Sequence, residues 1–198
     1  MLPSPRRISA LAVVGLALFA ACSAEPTSPQ GSAITTGAAA STHALIGTVN
    51  TLLPGAQRNV PLASSISVSK IIGSAGGTLS IPQAGVTVTV PSGALSANTV
   101  VTMTARAGSL IAYDFAPHGV IFAKPLVFTQ NLSGTNVTSV TAALLKLGYY
   151  SDPSLLTATG GTVSELIGGN VNLLNWTFTS SIMHFSGYMV GMGRSSSE

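Results

Sequence analysis

From Val60 to the C-terminus the chain alternates polar and apolar residues with a period of two, in short runs cut by Gly, Pro and Asn. Successive side chains of a strand point to opposite faces, so this pattern specifies half-buried β-strands and conflicts with the 3.6-residue stripe of a helix. The runs are "SSISVSKII", "GGTLSIP", "GVTVTVP", "NTVVTMTARAG", "GVIFAKPLVFTQNL", "TAALLKLGYYS", "GTVSELIGGN", "NLLNWTFTSS" and "SSIMHFSGYMVGMG". They amount to about eight or nine strands with turn signals at the spacing of an all-β, antiparallel β-sandwich, and one domain over residues 60–198 accommodates them. "TAALLKL" has helical propensity, but Tyr149, Tyr150 and the Thr-rich flanks favour a strand. Gly76 and Gly77 suit a tight turn that needs φ > 0, and Gly85 suits a two-strand reversal. Pro91 and Pro125 have no N–H for a ladder, which puts them at strand ends or on an edge.

Ahead of the alternating region, residues 1–21 combine a basic head at Arg6 and Arg7, an apolar run from Ile8, and the small residues Ala20 and Ala21. That is the build of a secretory signal, too short and too abruptly ended for a transmembrane helix. The one cysteine of the chain, Cys22, follows directly. This arrangement resembles the bacterial lipobox, whose cysteine is acylated as the signal is removed, although Leu18 stands four places before the cysteine and Phe19 three. The resemblance implies a lipid-anchored lipoprotein; the alternative is ordinary cleavage near Ala21 with Cys22 left as a free thiol. Residues 22–59 are rich in Ser, Thr, Ala, Gly and Pro and read as a tether. Within them "ALIGTVNTLL" is apolar enough for a helix or a strand that docks on the domain, and its composition does not separate the two.

Loss of the signal takes Arg6 and Arg7 with it. Arg58, Lys70, Arg106, Lys124, Lys146 and Arg194 then face Glu25, Asp114, Asp152, Glu165 and Glu198, and six minus five leaves a net charge of +1. The surface must be wetted by Ser, Thr, Asn and Gly, as in extracytoplasmic β domains. No basic patch with interleaved aromatics supports a nucleic-acid partner. With a single cysteine no intrachain disulfide forms, and the core must hold by burial.

The stretch "GGTLSIPQAGVTVTVPSGALSANTVVTMTA" followed by "PHGVIFAKPLVF" resembles the ZU-five domain, the β-sandwich module of zonula occludens proteins, netrin receptors and ankyrins. The residues that carry the resemblance are Gly76, Gly77, Pro91, Gly93 and Ala94, then Pro117, Gly119, Phe122, Lys124 and Pro125. It implies a sandwich with an interaction or scaffolding role, not its partner; for a lipid-anchored chain the expectation is a non-enzymatic interaction or envelope-structural module whose partner is an envelope protein or polysaccharide. It implies no cofactor.

Zinc needs three or four convergent ligands, and neither His43, His118 nor His184 has a cysteine or paired carboxylates beside it. Asp114, Asp152 and Glu165 are scattered singly, short of a calcium loop. "NLS", "NVT" and "NWT", at Asn131, Asn136 and Asn175, read as polar turn and strand residues. Tyr149, Tyr150, Trp176 and Phe178 read as core and rim aromatics; an exposed row of them would bind sugars. One triplet invites chemistry. Some animal members of the ZU-five family cut their own backbone between Phe and Ser of a His-Phe-Ser sequence, matched here by His184, Phe185 and Ser186. In that reaction Ser186 Oγ attacks the Phe185 carbonyl, the amide becomes an ester, and water hydrolyses it. The bland alternative is a final strand with Ile182, His184, Ser186 and Tyr188 on one face and Met183, Phe185, Gly187 and Met189 on the other.

Overall fold

Alternation fixes which side chains face inward, and the turn residues fix where each run reverses. The computed structural model describes residues 45–193, so Cys22, His43, the signal segment and residues 22–44 of the tether lie outside the described residues. In chain order the strands are β1 (Leu45–Pro54), β2 (Gln57–Leu62), β3 (Ile66–Ile72), β4 (Gly77–Ile81), β5 (Val86–Val90), β6 (Thr99–Ala105), β7 (Gly108–Leu110) and β8 (Ala112–Ala116). They continue with β9 (Ile121–Asn131), β10 (Leu145–Tyr150), β11 (Leu156–Thr157), β12 (Gly160–Ile167), β13 (Gly169–Asn172), β14 (Thr177–His184) and β15 (Gly187–Met192). One sheet runs β1-β12-β10-β15-β8-β6-β3 with β11 added to β12, a second runs β13-β14-β9-β5-β4, and β2 pairs with β7. The pairings are antiparallel, and the all-β sandwich is what the alternation specified.

The strands exceed the eight or nine that the alternating runs contain, for identifiable reasons. β8, "AYDFA", buries Ala112, Tyr113 and Phe115 and so shows no clean alternation. β1 and the start of β2 sit in residues whose composition matches a tether; the undecided "ALIGTVNTLL" is the strand, and Leu53 in it is fully buried. "TAALLKL" corrects the sequence reading in part: Ser139–Ala142 form a short helix, α1, and strand begins only at Leu145. Thr138 caps that helix by accepting the Thr141 N–H, a reciprocal box that favours the helical turn locally.

Hairpin chemistry behaves as the turn residues dictate. Gly76 has φ 78° and Gly85 φ 68°, the latter closing the turn after Pro82–Ala84 that joins β4 to β5. Pro91 follows the last residue of β5, at a strand end. Pro125 is different: it lies inside β9, where the pairing with β14 slips between Ile182 and His184. A bulge tolerates a missing N–H as well as an edge does, which is why a central strand carries this proline.

The main core lies between the two large sheets. Val86, Val88 and Val90 of β5, Leu126 and Phe128 of β9 and Phe178 and Ile182 of β14 face Val101 and Met103 of β6, Phe115 of β8 and Tyr188 and Val190 of β15. A second cluster, Leu53, Leu110, Ala112, Tyr150, Val163 and Met189, covers the other face of β15 and β8. β15 is therefore buried on both sides, and its "GYMV" is apolar throughout. Outward positions carry hydroxyls, including the paired Ser67–Thr104 at 2.8 Å and Ser69–Thr102 at 2.7 Å. Ser80, Thr87, Thr129, Thr179 and Asn170 form one register row across all five strands of the smaller sheet. A surface with few charges is wetted in this way.

Candidate functional site

"SSIMHFSGYMVGMG" is not one strand. β14 belongs to the smaller sheet and ends at His184, while β15 belongs to the larger one and begins at Gly187, so Phe185 and Ser186 carry the chain from one layer to the other. The two-face alternation expected through this stretch breaks at that corner. Ile182, Ser186 and Tyr188 are buried, but so is Phe185, whereas His184 is half-buried and Met183 exposed. Burial of the Phe185 ring is the cause. It stacks on Phe115 at 5.2 Å between centroids and meets Phe122 edge-on at 4.6 Å, contacts available only between the sheets.

The backbone of the corner is held on both sides. Phe185 N–H donates to the Val120 carbonyl at 3.0 Å, Gly119 N–H donates to the Phe185 carbonyl at 3.3 Å, and Phe115 N–H donates to the Ser186 carbonyl at 2.9 Å. The carbonyl that a self-cleaving serine would attack thus carries one backbone donor. Ser186 Oγ donates to the Tyr150 carbonyl at 3.4 Å. The His184 ring has other partners: Nδ1 is 3.2 Å from Tyr188 Oη, Nε2 is 3.5 Å from Glu165 Oε2, and the Tyr149 ring stands edge-on at 4.8 Å. Tyr188 Oη also donates to the His184 carbonyl at 2.7 Å. Burial, reinforced by the Glu165 charge, raises the Tyr188 phenol far above its ordinary range, so it remains a neutral donor. A general base must lie within hydrogen-bond reach of the proton it takes. Here the recorded bonds of His184 and Ser186 go to different partners.

The fold gathers more around this corner than the sequence did. His118, Gly119, Tyr149, Ser151 and Glu165 join His184, Phe185 and Ser186 along an open depression of about 570 Å³. Nothing in chain order links Glu165 to His184, because β12 and β14 lie in different sheets; only Tyr188, four residues on, was within local reach.

The remaining candidates occupy structural positions. Asp114 pairs with Arg106 at 2.7 Å and accepts from Tyr150 Oη at 2.8 Å. Asp152 accepts the Ser154 N–H at 2.7 Å and caps the turn Pro153–Leu155, which holds its carboxyl below the usual range. Among the described residues no three of His, Cys, Asp and Glu converge to hold a metal ion. Tyr150 and Phe178 are fully buried, and only Tyr149 and Trp176 of the four aromatics reach the surface, the one on β10 and the other in the turn between β13 and β14. Asn136 Oδ1 accepts the Gln57 N–H at 2.9 Å and Asn175 Oδ1 accepts from Thr177 Oγ1 at 2.8 Å.

The residues behind the family resemblance also meet in space. Lys124 Nζ donates to the Ser92 carbonyl at 2.7 Å, Ala123 N–H to the Ala94 carbonyl at 3.1 Å, and Gly93 takes φ 77° in the turn beneath them. The proline-glycine-alanine turn after β5 and the start of β9 therefore form one contact, and Phe122 from it supports Phe185. Residues 68–108 match the family model of the ZU5 domain. The matched segment runs from within β3 through β6 to the first residue of β7 and ends before the Pro117–Pro125 group. No curated protein matches the chain. The matched domain and the sandwich fit a protein-interaction module.

Proposed function

We propose that the chain is an extracytoplasmic lipoprotein, acylated at Cys22 and tethered through residues 22–44, whose sandwich serves as a non-enzymatic interaction or envelope-structural module. The ZU5 match on a β-sandwich carries the interaction part of this reading. The hydroxyl-wetted strand faces and the structural partners found for Asp114, Asp152 and His184 are in keeping with it. The anchor rests on sequence: a basic head, an apolar run, and a lone cysteine after two alanines. Ser23 stands where an aspartate would retain a lipoprotein on an inner membrane, which favours the outer one where two exist. The test is phase partition of the exported protein. The native chain enters the detergent phase and Cys22→Ala stays in the aqueous phase; an unchanged partition overturns the anchor. Crosslinking in intact cells, with and without Cys22, then reads the partner side.

Self-cleavage between Phe185 and Ser186 is a second reading, favoured by the Gly119 N–H on the Phe185 carbonyl, a donor placed where negative charge would develop. Ser186 Oγ would give its proton to a base, the Phe185–Ser186 C–N bond would break to leave an ester and a free amine, and water would release the acid. Intact mass under denaturing conditions decides it. Cleavage frees the 13 residues Ser186 to Glu198 (198 − 186 + 1). A single uncut species, identical for Ser186→Ala after long incubation, removes this reading.

A further inference from the structure

Away from the corner, β2 places a cation inside the protein. Arg58 is only 7% exposed. One Nη donates to the Leu110 carbonyl at 2.6 Å, the other to Tyr113 Oη at 3.2 Å, and the Tyr113 ring centroid lies 5.7 Å from the guanidinium carbon. Its Nε is buried with no hydrogen-bond partner among the described residues. Among the described residues no carboxylate pairs with it: the ion pairs there are Arg106–Asp114 and His184–Glu165. Tyr113 does not supply the charge either. Burial raises its phenol to about 12 despite the opposing pull of Arg58, so it is neutral at physiological pH, and its hydroxyl contacts Gln130 Oε1 and the Ala84 carbonyl.

A buried guanidinium satisfied by two neutral acceptors and one ring is under-compensated, since a desolvated charge is stable when an opposite charge with further acceptors completes it. Space for such a group adjoins it. Arg58 lines a depression of about 240 Å³ between the turn that ends at Gly85 and the turn through Asn131, Ser133 and Thr135. We infer that this depression is a binding site for a small carboxylate, held against the Arg58 guanidinium. Planar carboxylate oxygens match the fork of donors that guanidinium presents, and Nε–H is the donor the protein leaves without a partner among the described residues. A volume of this size takes an acetate-like group, not an extended polyanion. The group is either a free small acid or the C-terminal carboxylate of a peptide, and both use the same contact. This site is independent of the lipid anchor and of the ZU5 reading.

The test is titration of the full chain with sodium acetate against sodium chloride at matched ionic strength, read by amide chemical shifts. Acetate should give saturable shifts centred on Gly85, Gly134, Thr135 and the Arg58 Nε–H, which chloride does not reproduce. Arg58→Met should weaken the apparent affinity at least about tenfold. Should Arg58→Met fail to fold, Ser133→Glu keeps the guanidinium and puts a tethered carboxylate on the rim; it should abolish the acetate response and raise the unfolding midpoint. A short peptide with a free C-terminus, compared with its C-terminal amide, separates the two sources: a response to the free-acid peptide only marks a chain end, and to acetate as well a small acid. Shifts equal for acetate and chloride, or unchanged in Ser133→Glu, or no response to any carboxylate, overturn the site.

Discussion

Gly187 is set by what stands over it. A Cβ there would run into the ring of Tyr150, and that ring cannot swing aside, because its hydroxyl lies 2.8 Å from Asp114 Oδ1 and 3.0 Å from the Tyr113 carbonyl oxygen. Gly187→Ala therefore trades a small gain in backbone entropy for overpacking between β10 and β15, a net loss of about 1–3 kcal/mol. Urea unfolding at neutral pH measures it, and a midpoint equal to that of the native chain would show that Tyr150 is free to move. At this scale the sequence is partly legible. Gly76 and Gly85 announce their turns because positive φ has few other occupants, and of the aromatics read as core and rim, Tyr150 and Phe178 are core. The partners of His184 do not: Tyr188 looked like one more alternating aromatic, and Glu165 sits on a strand of the other sheet. Arg58 is the plainest miss, since an arginine inside "AQRNV" reads as a surface residue until the fold brings Leu110 and Tyr113 against it.

Between residues and the whole, the elements divide by how many of their faces are buried. β4, β5 and β6 each bury one face, and their alternation is visible in the sequence; β3, at the end of its sheet, buries only Ile72. β15 buries both faces, so period two gives way to the apolar run "GYMV", and β8 buries Ala112, Tyr113 and Phe115 on either side of Asp114; the corner at Phe185 was hidden because the one turn-forming residue there, Gly187, comes only after the chain has changed sheet and is already the first residue of β15. β1 is concealed for the opposite reason, its Ser/Thr/Gly-rich surroundings sharing the composition of a linker. Yet Leu53 of β1 is 1% exposed and anchors the second cluster with Leu110, Tyr150, Val163 and Met189. Leu53→Ala should cost about 2–5 kcal/mol, the range for emptying a buried leucine site that collapses incompletely. A chain beginning at residue 60 should fail to give a cooperative unfolding transition, whereas one beginning at residue 44 should retain it. Cooperative unfolding of the shorter chain would show β1 to be an ornament on an independent sandwich.

For the molecule as a whole, pH is the variable that reads the centre of the larger sheet. Tyr150, Tyr188 and Tyr113 lie on β10, β15 and β8, three successive strands of that sheet. Burial is the first cause of a raised phenol pKa in each, with Asp114 adding to it at Tyr150 and Glu165 at Tyr188; Tyr113 reaches about 12 and the other two stand higher. An unfolded tyrosine titrates at 10.0. The folded state therefore binds more protons than the unfolded state above that pH, and stability falls as pH rises. The contribution of these phenols is complete below about pH 10, and Tyr113's share drains away between there and about 12, with Tyr150 and Tyr188 continuing the loss. Because the strands are adjacent and covered on both sides, no phenol ionises by local fraying, and the loss should appear as a global fall in the urea midpoint. That midpoint should be level from neutral pH to about 10 and drop beyond it, and in a Tyr149→Phe variant, which leaves the three buried phenols, phenolate absorbance should appear in step with unfolding. Tyr113→Phe should flatten the first part of the fall; since it also removes the hydroxyl that Arg58 Nη donates to, its midpoint at neutral pH should drop while its alkaline slope becomes shallower. Phenolate signal growing near pH 10 from a Tyr149→Phe variant still fully folded, in which Tyr113, Tyr150 and Tyr188 are the remaining phenols, would mean that the sheet admits hydroxide without opening.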